Sequence, residues 1–175
     1  TRLSLHISQK YSLNSIVSNI LSLKAIDINK IKIFLEPSLD CYLPDPTIFN
    51  DLKKGVDRVF TAIKNKEKIA ILGDYDVDGL TSTVLLKKYF SNFGADIYSY
   101  IPDRLKEGYG PNFKAIDKLK SKKISLLIMV DCGTNAHEII SYVKKNKIDL
   151  IIIDHHKSNE KHNDILAFIN PNSIF

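Results

Sequence analysis

Scarcity narrows the reading of this 175-residue chain before any motif is considered. There are two cysteines, Cys41 and Cys132, far apart and in no C-x-x-C pattern, so they read as reduced thiols of a cytosolic protein. Cys132 directly follows Asp131, and by the burial habit of cysteine it is expected to pack as a small buried residue. No apolar run approaches the roughly 18 residues that a membrane span requires. No basic-then-apolar leader is seen, and a chain that opens on Thr1 without methionine is expected to lack its natural start. Arginine occurs three times, at Arg2, Arg58 and Arg104, so lysine is the default cation. An arginine in a loop is then informative, because guanidinium alone offers a fixed fork for phosphate. Internal repeats and low-complexity segments are absent as well.

What remains is an ordinary globular composition, 44% apolar and 26% charged, with length for one good core and a small appendage. A net charge of +5 and a pI near 9.0 permit a polyanionic partner without demanding one.

From residue 69 the pattern alternates. Apolar runs at 69–73, 97–101, 124–130 and 148–153, with a weaker one at 165–169, predict strands. Helices are predicted over about 80–93, 112–122 and 136–147. In the first, Leu80, Val84, Leu85 and Phe93 are expected on one inward face; Pro111 suits the first turn of the second. The third turns Ile139, Ile140 and Val143 inward and carries Lys144, Lys145 and Lys147 near its end, where they favour the helix dipole. Such alternation implies an α/β fold, a mostly parallel sheet flanked by helices, whose ligands bind beyond the carboxyl ends of the strands. Residues 1–66 differ: Leu13, Ile16, Val17, Ile20 and Leu21 repeat at helical spacing, and a second helix is predicted over 48–65. They are read as a helical lead-in packed on an α/β domain of residues 67–175.

The strand ends carry the chemistry. Ile69-Ala70-Ile71-Leu72-Gly73 runs into Asp74-Tyr75-Asp76-Val77-Asp78-Gly79, three carboxylates at alternate positions. In extended backbone residues two apart project to one side, so these three are expected to crowd together around a cation. A calcium EF-hand loop opens in the same way, but its twelfth position needs a bidentate glutamate, which here is Leu85, and a strand precedes the motif. Asp131 closes Ile128-Met129-Val130, where it serves equally well as a ligand or as a cap for the helix near Ala136. Asp154-His155-His156 closes Ile151-Ile152-Ile153, and imidazole with carboxylates suits manganese. Arg104, just past the second strand, reads as a phosphate clamp against the plainer reading of a surface salt bridge. Tyr109, in Glu107-Gly108-Tyr109-Gly110, is a candidate to stack on a base. His6, His137 and His162 are read as surface residues. Carboxylates and imidazole in this number can hold two divalent ions, which points to hydrolysis of a phosphoester or phosphoanhydride.

These residues resemble the DHH phosphoesterase superfamily. Four of its motifs stand in order, Asp76-Val77-Asp78, Pro102-Asp103-Arg104, Asp131-Cys132-Gly133 and Asp154-His155-His156. The fuller wording, including Glu107-Gly108-Tyr109-Gly110, Ile169-Asn170-Pro171-Asn172 and Phe34-Leu35-Glu36-Pro37-Ser38-Leu39, is similar to its branch of bacterial exonucleases specific for single-stranded DNA. That resemblance spans from about residue 25 to the end. It implies that Asp76, Asp78, Asp131 and His155 are ligands of Mn²⁺ or Mg²⁺, with Asp131 as the bridge and Asp74 as a ligand or supporting acid. It implies further that His156 contacts the scissile phosphate and assists the leaving group, and that Arg104 holds a phosphate. The implied reaction is 5′-to-3′ removal of nucleotides from single-stranded DNA in recombination and repair, in the bacterial cytoplasm. Two departures accompany it. Some relatives carry a histidine where this chain has Leu72. The family also uses a later aspartate and a second domain, so a chain ending at Phe175 is expected to be an amino-terminal fragment, weakly active or inactive alone. Competing readings are a DHH enzyme acting on short oligoribonucleotides or cyclic dinucleotides, and a non-catalytic nucleic-acid-binding fragment.

Overall fold

The computed structural model describes residues 1–157, 162 and 165–173. Among the described residues five strands form one parallel sheet: β1 (Lys68–Gly73), β2 (Asp96–Tyr100), β3 (Leu126–Val130), β4 (Asp149–Ile153) and β5 (Ala167–Ile169). Their order is β2-β1-β3-β4-β5. The central strands are apolar at nearly every position because both faces are covered, and successive side chains enter opposite cores. Ala70, Leu72, Leu127, Met129, Leu150 and Ile152 pack on one face, under α7 (Phe113–Lys120) and α8 (His137–Lys145). Ile69, Ile71, Ile128, Val130 and Ile151 pack on the other, against α5 (Leu52–Lys64) and α6 (Val77–Ser91).

Chain direction and sheet order together place the site. The β1–α6–β2 crossover moves toward one edge on one face, and β3–α8–β4 moves toward the other edge on the opposite face. Strand order therefore reverses between β1 and β3, where the loops part and leave a crevice at the carboxyl ends. Asp74, Asp131 and Asp154 stand at the ends of β1, β3 and β4 around that crevice.

Two expectations need correction. The inward side of α6 is not the stripe Leu80, Val84, Leu85 and Phe93, which are 48%, 56%, 70% and 52% exposed. It is Gly79, Thr83 and Phe90, with Leu86 partly buried. The helix starts too close to β1 for a large inward residue: a Cβ on Gly79 would stand 2.4 Å from the Asp74 carbonyl oxygen, and one on Gly73 2.1 Å from Thr83 Oγ1. Pro111 lies outside α7, whose N-cap is Asn112, with its side chain accepting from the Ala115 N–H.

The described chain divides into two compact units, Thr1–Asp45 and Pro46–Phe175. The first comprises α1 (Arg2–Tyr11), α2 (Ser15–Leu23), α3 (Ile31–Leu35) and α4 (Leu39–Tyr42) around Ile7, Leu21 and Ile31. Helix α2 forms where the spacing predicts it, capped by Asn14, yet Ile16 and Ile20 lie 67% and 48% exposed. Helix α5 belongs to the second unit, where Ala62 is fully buried against the sheet. Among the described residues no helix is long and apolar enough to cross a membrane.

Candidate metal centre

The β1 end is built differently from the expected extended alternation. Asp74 follows the strand and is buried. Asp76 is the N-cap of α6, its carboxylate accepting from the Gly79 N–H at 3.0 Å. Asp78 already lies in the first helical turn, so helix geometry and not strand alternation aims it. It lines a cleft with Ser82, Asp131 and His155. Ligand atoms of Asp74, Asp76 and Asp131 lie within 4.8 Å of one another, as do those of Asp131, Asp154, His155 and His156. Asp131 is common to both groups.

Asp131 is also the strained member. Its φ of 58° is in the left-handed region, which costs a non-glycine residue free energy and recurs at functional sites. Gly133, at φ 107°, completes the turn, and a Cβ there would meet Met129 Sδ at 3.0 Å. The Asp131 N–H still donates to Ile153 O at 2.9 Å, so the sheet ladder continues to the ligand itself. One carboxylate oxygen of Asp131 faces His155 Nε2 at 3.0 Å. Its other oxygen, Oδ2, and Oδ1 of Asp74 are buried and have no hydrogen-bond partner in the described structure. Burial, then the neighbouring Asp76 carboxyl, pushes the Asp131 acid up to about 6. Asp76 is held below its usual range, first by the Gly79 N–H and then by the Asp131 carboxyl.

Those two partnerless oxygens test whether a metal fits. A buried carboxylate oxygen without a donor is costly, and two in one cluster beside an imidazole make a set that a hard divalent ion satisfies. The O and N donors suit Mn²⁺ and Mg²⁺. Leu72 is fully buried in the core beneath α7 and α8 and contributes nothing to the site. Cys132 is buried too, its thiol directed at Leu72 O at 3.8 Å and its pKa driven upward by burial. It packs, as its sequence reading expects.

Asp154 does a different job. Its oxygens accept from the N–H groups of Thr134 (3.0 Å), His155 (2.7 Å) and His156 (3.2 Å), and from His156 Nδ1 at 2.7 Å. Burial alone would raise its pKa, but the Thr134 and His156 donors outweigh it and hold the group below the usual range. In return, Asp154 raises the His156 pKa and leaves Nε2 as the outward nitrogen, 3.1 Å from the Tyr109 hydroxyl. Asn170 and Asn172 clamp the same loop from β5: Asn170 Nδ2 donates to His156 O (3.0 Å) and Thr134 Oγ1 (3.1 Å), and Asn172 Nδ2 to His155 O. Thr134 and these asparagines have support roles that sequence reasoning missed. The signal for the asparagines was their wording after the last strand, and Thr134 had none.

Arg104 is exposed and, among the described residues, pairs with no carboxylate; its guanidinium lies over the Tyr75 ring, 5.2 Å from the centroid. Its loop is ordered by Glu107, which accepts from the Tyr100 hydroxyl at 2.8 Å and the Asp103 N–H at 2.9 Å. Desolvation, then the carboxylates of Asp74, Asp154 and Asp131, push the Tyr109 hydroxyl up to about 12, so it stays a proton donor. Tyr109, Gly133, Thr134 and His156 line a second cleft of about 290 Å³ beside the metal centre. His137 and His162 are not isolated: their rings lie 5.2 Å apart, and His162 Nε2 meets Thr134 O at 2.5 Å.

Known proteins resemble this chain in sequence and in fold. The single-stranded-DNA-specific exonuclease RecJ of Bacillus subtilis is 35% identical over 94% of this chain, which spans 21% of that protein. Among solved structures, exonuclease RecJ bound to manganese matches with a TM-score of 0.64 and 30% identity, over 70% of this chain and 31% of that one. RecJ of Thermus thermophilus in complex with Mn²⁺ matches with a TM-score of 0.57 and 27% identity, over 70% of this chain and 17% of that one. The chain thus covers under a third of each of these relatives. The DHH family, N-terminal domain, matches residues 68–174, and the chain belongs to that family.

Proposed function

We propose that this chain is the metal-binding amino-terminal part of a RecJ-like exonuclease that removes nucleotides from single-stranded DNA in the 5′-to-3′ direction. It would act in recombination and repair in the bacterial cytoplasm. The observation that carries the reading is the pair of partnerless buried oxygens, Asp74 Oδ1 and Asp131 Oδ2, at the sheet's switch point. Similarity to bacterial single-stranded-DNA-specific exonucleases supplies the substrate.

In this reading Asp74, Asp76, Asp78, Asp131 and His155 would hold Mn²⁺ or Mg²⁺, two ions in the complete site, and Asp131 belongs to both groups of candidate ligands. When bound, such ions polarise a phosphate oxygen and make a water nucleophilic at neutral pH. The chain's own residues do the rest. His156, fixed by Asp154 through Nδ1, presents Nε2 to the scissile phosphate and returns a proton to the leaving oxygen. Arg104 holds a phosphate through its free guanidinium, and Tyr109 walls the nucleotide cleft.

Calorimetric titration of Mn²⁺ into the chain, beside Asp131→Ala, tests the centre. Binding that disappears in the variant is expected; a folded wild type that binds no Mn²⁺ would sink the reading. Digestion of a long single strand against a dinucleotide then tests the substrate, and preference for the dinucleotide would redirect it to short oligonucleotides.

A further inference from the structure

Arg104 poses an electrostatic problem. A cation seated on Tyr75, which stands in sequence between Asp74 and Asp76, is open to capture by a carboxylate, and a guanidinium held by a carboxylate is quenched for phosphate. Yet among the described residues it forms no ion pair, and its partner is the uncharged face of Tyr75. Tyr75 stands in sequence between Asp74 and Asp76, and its ring is half-buried. The other neighbour of that ring is Tyr109, edge-on at 6.2 Å and 81°. Tyr109 in turn meets His156, ring to ring at 6.2 Å and hydroxyl to Nε2 at 3.1 Å. One continuous row, Arg104–Tyr75–Tyr109–His156, thus runs along the rim of the metal centre.

We infer that Tyr75 is a positioning residue: its ring parks Arg104 away from the metal-binding carboxylates and braces Tyr109, so that cation and aromatic wall meet a single-stranded nucleic acid preformed. The inference rests on the proposed reading of Arg104 as a phosphate ligand. A guanidinium over an aromatic ring keeps its full charge, and without a carboxylate partner its N–H donors remain available to phosphate. The Tyr75 hydroxyl makes no hydrogen bond among the described residues, so the ring alone carries the role. Phenylalanine should therefore suffice and an aliphatic side chain should not.

The test is fluorescence polarisation of a 3′-labelled 12-nucleotide single-stranded DNA in EDTA, over a salt series, with chains whose fold is checked by circular dichroism. Arg104→Ala should weaken binding about tenfold at low salt and lower the salt slope by about 0.7, one phosphate contact on a single strand. Tyr75→Leu should weaken it about fivefold and lower the slope likewise, Tyr75→Phe should match wild type, and the double variant should be no weaker than Arg104→Ala. A folded Tyr75→Leu chain that binds like wild type, while Arg104→Ala is impaired, overturns the inference and leaves the phosphate reading standing. If Arg104→Ala changes nothing, both fall, whereas the Mn²⁺ titration of the centre is unaffected. Proton NMR of the wild type needs no variant: with three arginines in the chain, the Arg104 side-chain resonances are assignable. They should be shifted upfield by the ring current, and random-coil positions overturn the inference.

Discussion

Asp154 and Asp131 end neighbouring parallel strands, are 5% and 6% exposed, and have pKa values shifted in opposite directions. Asp154 is ringed by N–H donors of its own chain and held ionised. Asp131 has one imidazole, one partnerless oxygen, a carboxyl neighbour and a raised pKa. Burial is nearly equal, so what separates them is their company: N–H donors around Asp154, and few donors with a second carboxyl beside Asp131. A carboxylate that the chain satisfies is an anchor, and one that it leaves unsatisfied is a seat for something that arrives. The DHH triplet joins both kinds of contact, since Asp154 orients His156 while His155 reaches across to Asp131.

The largest effect should come from breaking the anchor. Asp154→Asn replaces an acceptor of several N–H bonds with an amide that has donors of its own. We expect a loss of about 3 kcal/mol, the scale for removing one partner of a buried charged network. Urea unfolding at neutral pH measures it. Because His155 shares the loop, Mn²⁺ affinity should also fall at least tenfold, as it does when supports of metal ligands are removed. A loss below about 1 kcal/mol would mean that the asparagines from β5 hold the loop without Asp154.

The seat should respond in the opposite direction. Asp131→Asn removes a buried, crowded negative charge, gives Asp76 an amide donor, and suits the left-handed backbone that asparagine tolerates well. The metal-free chain should gain about 1–2 kcal/mol. Thermal unfolding with and without Mn²⁺ makes the contrast direct: wild type should rise with the ion, and the variant should start higher and not respond. A destabilised metal-free variant would mean that the His155 contact outweighs the crowding, and the seat would then be a second anchor.

Much of this was legible in the sequence. Short β-branched runs such as Ile69–Leu72 and Ile151–Ile153 read as strands buried on both faces, and the acids after them fall on one sheet edge by topology. Helix α6 was legible as a helix but its inward face was not. The tight approach of Gly73, Gly79 and Thr83 demands small inward residues, which pushes Leu80 and Val84 outward and inverts the hydrophobic signal. Asp76 and Asp78 reached the site region by another route than alternation, because the cap turns the chain between them. Tyr75 was not legible at all. Its meaning lies in Arg104 and Tyr109, far along the chain, and no local pattern shows a ring between two aspartates to be a rest for a cation.

A third carboxylate sharpens the comparison with the smallest effect. At the opposite end of the sheet, Glu67 is satisfied by side chains and not by an arriving ion: Arg58 at 2.6 Å, the Ser125 hydroxyl at 2.5 Å and the Asn65 amide at 3.3 Å. Arg58 also reaches Asp149 at 2.6 Å and so ties α5 to the start of β4. Arg58, then Ser125, holds the Glu67 pKa below its ordinary 4.5. The folded state therefore favours the ionised form more than the unfolded chain does. The stabilisation is complete above about pH 5 and is lost as pH falls through the lowered folded value. Glu67→Gln should cost about 1 kcal/mol at pH 7, the net worth of hydrogen bonds to a charged group that is partly exposed, and Arg58 keeps Asp149 as a partner. The gap between wild type and variant in denaturant unfolding should hold from pH 7 to pH 5 and close in more acidic buffer. A gap that stays constant into acid would show that Glu67 contributes through shape and packing, and that donor supply, part of what separates Asp154 from Asp131, does not govern this end of the sheet.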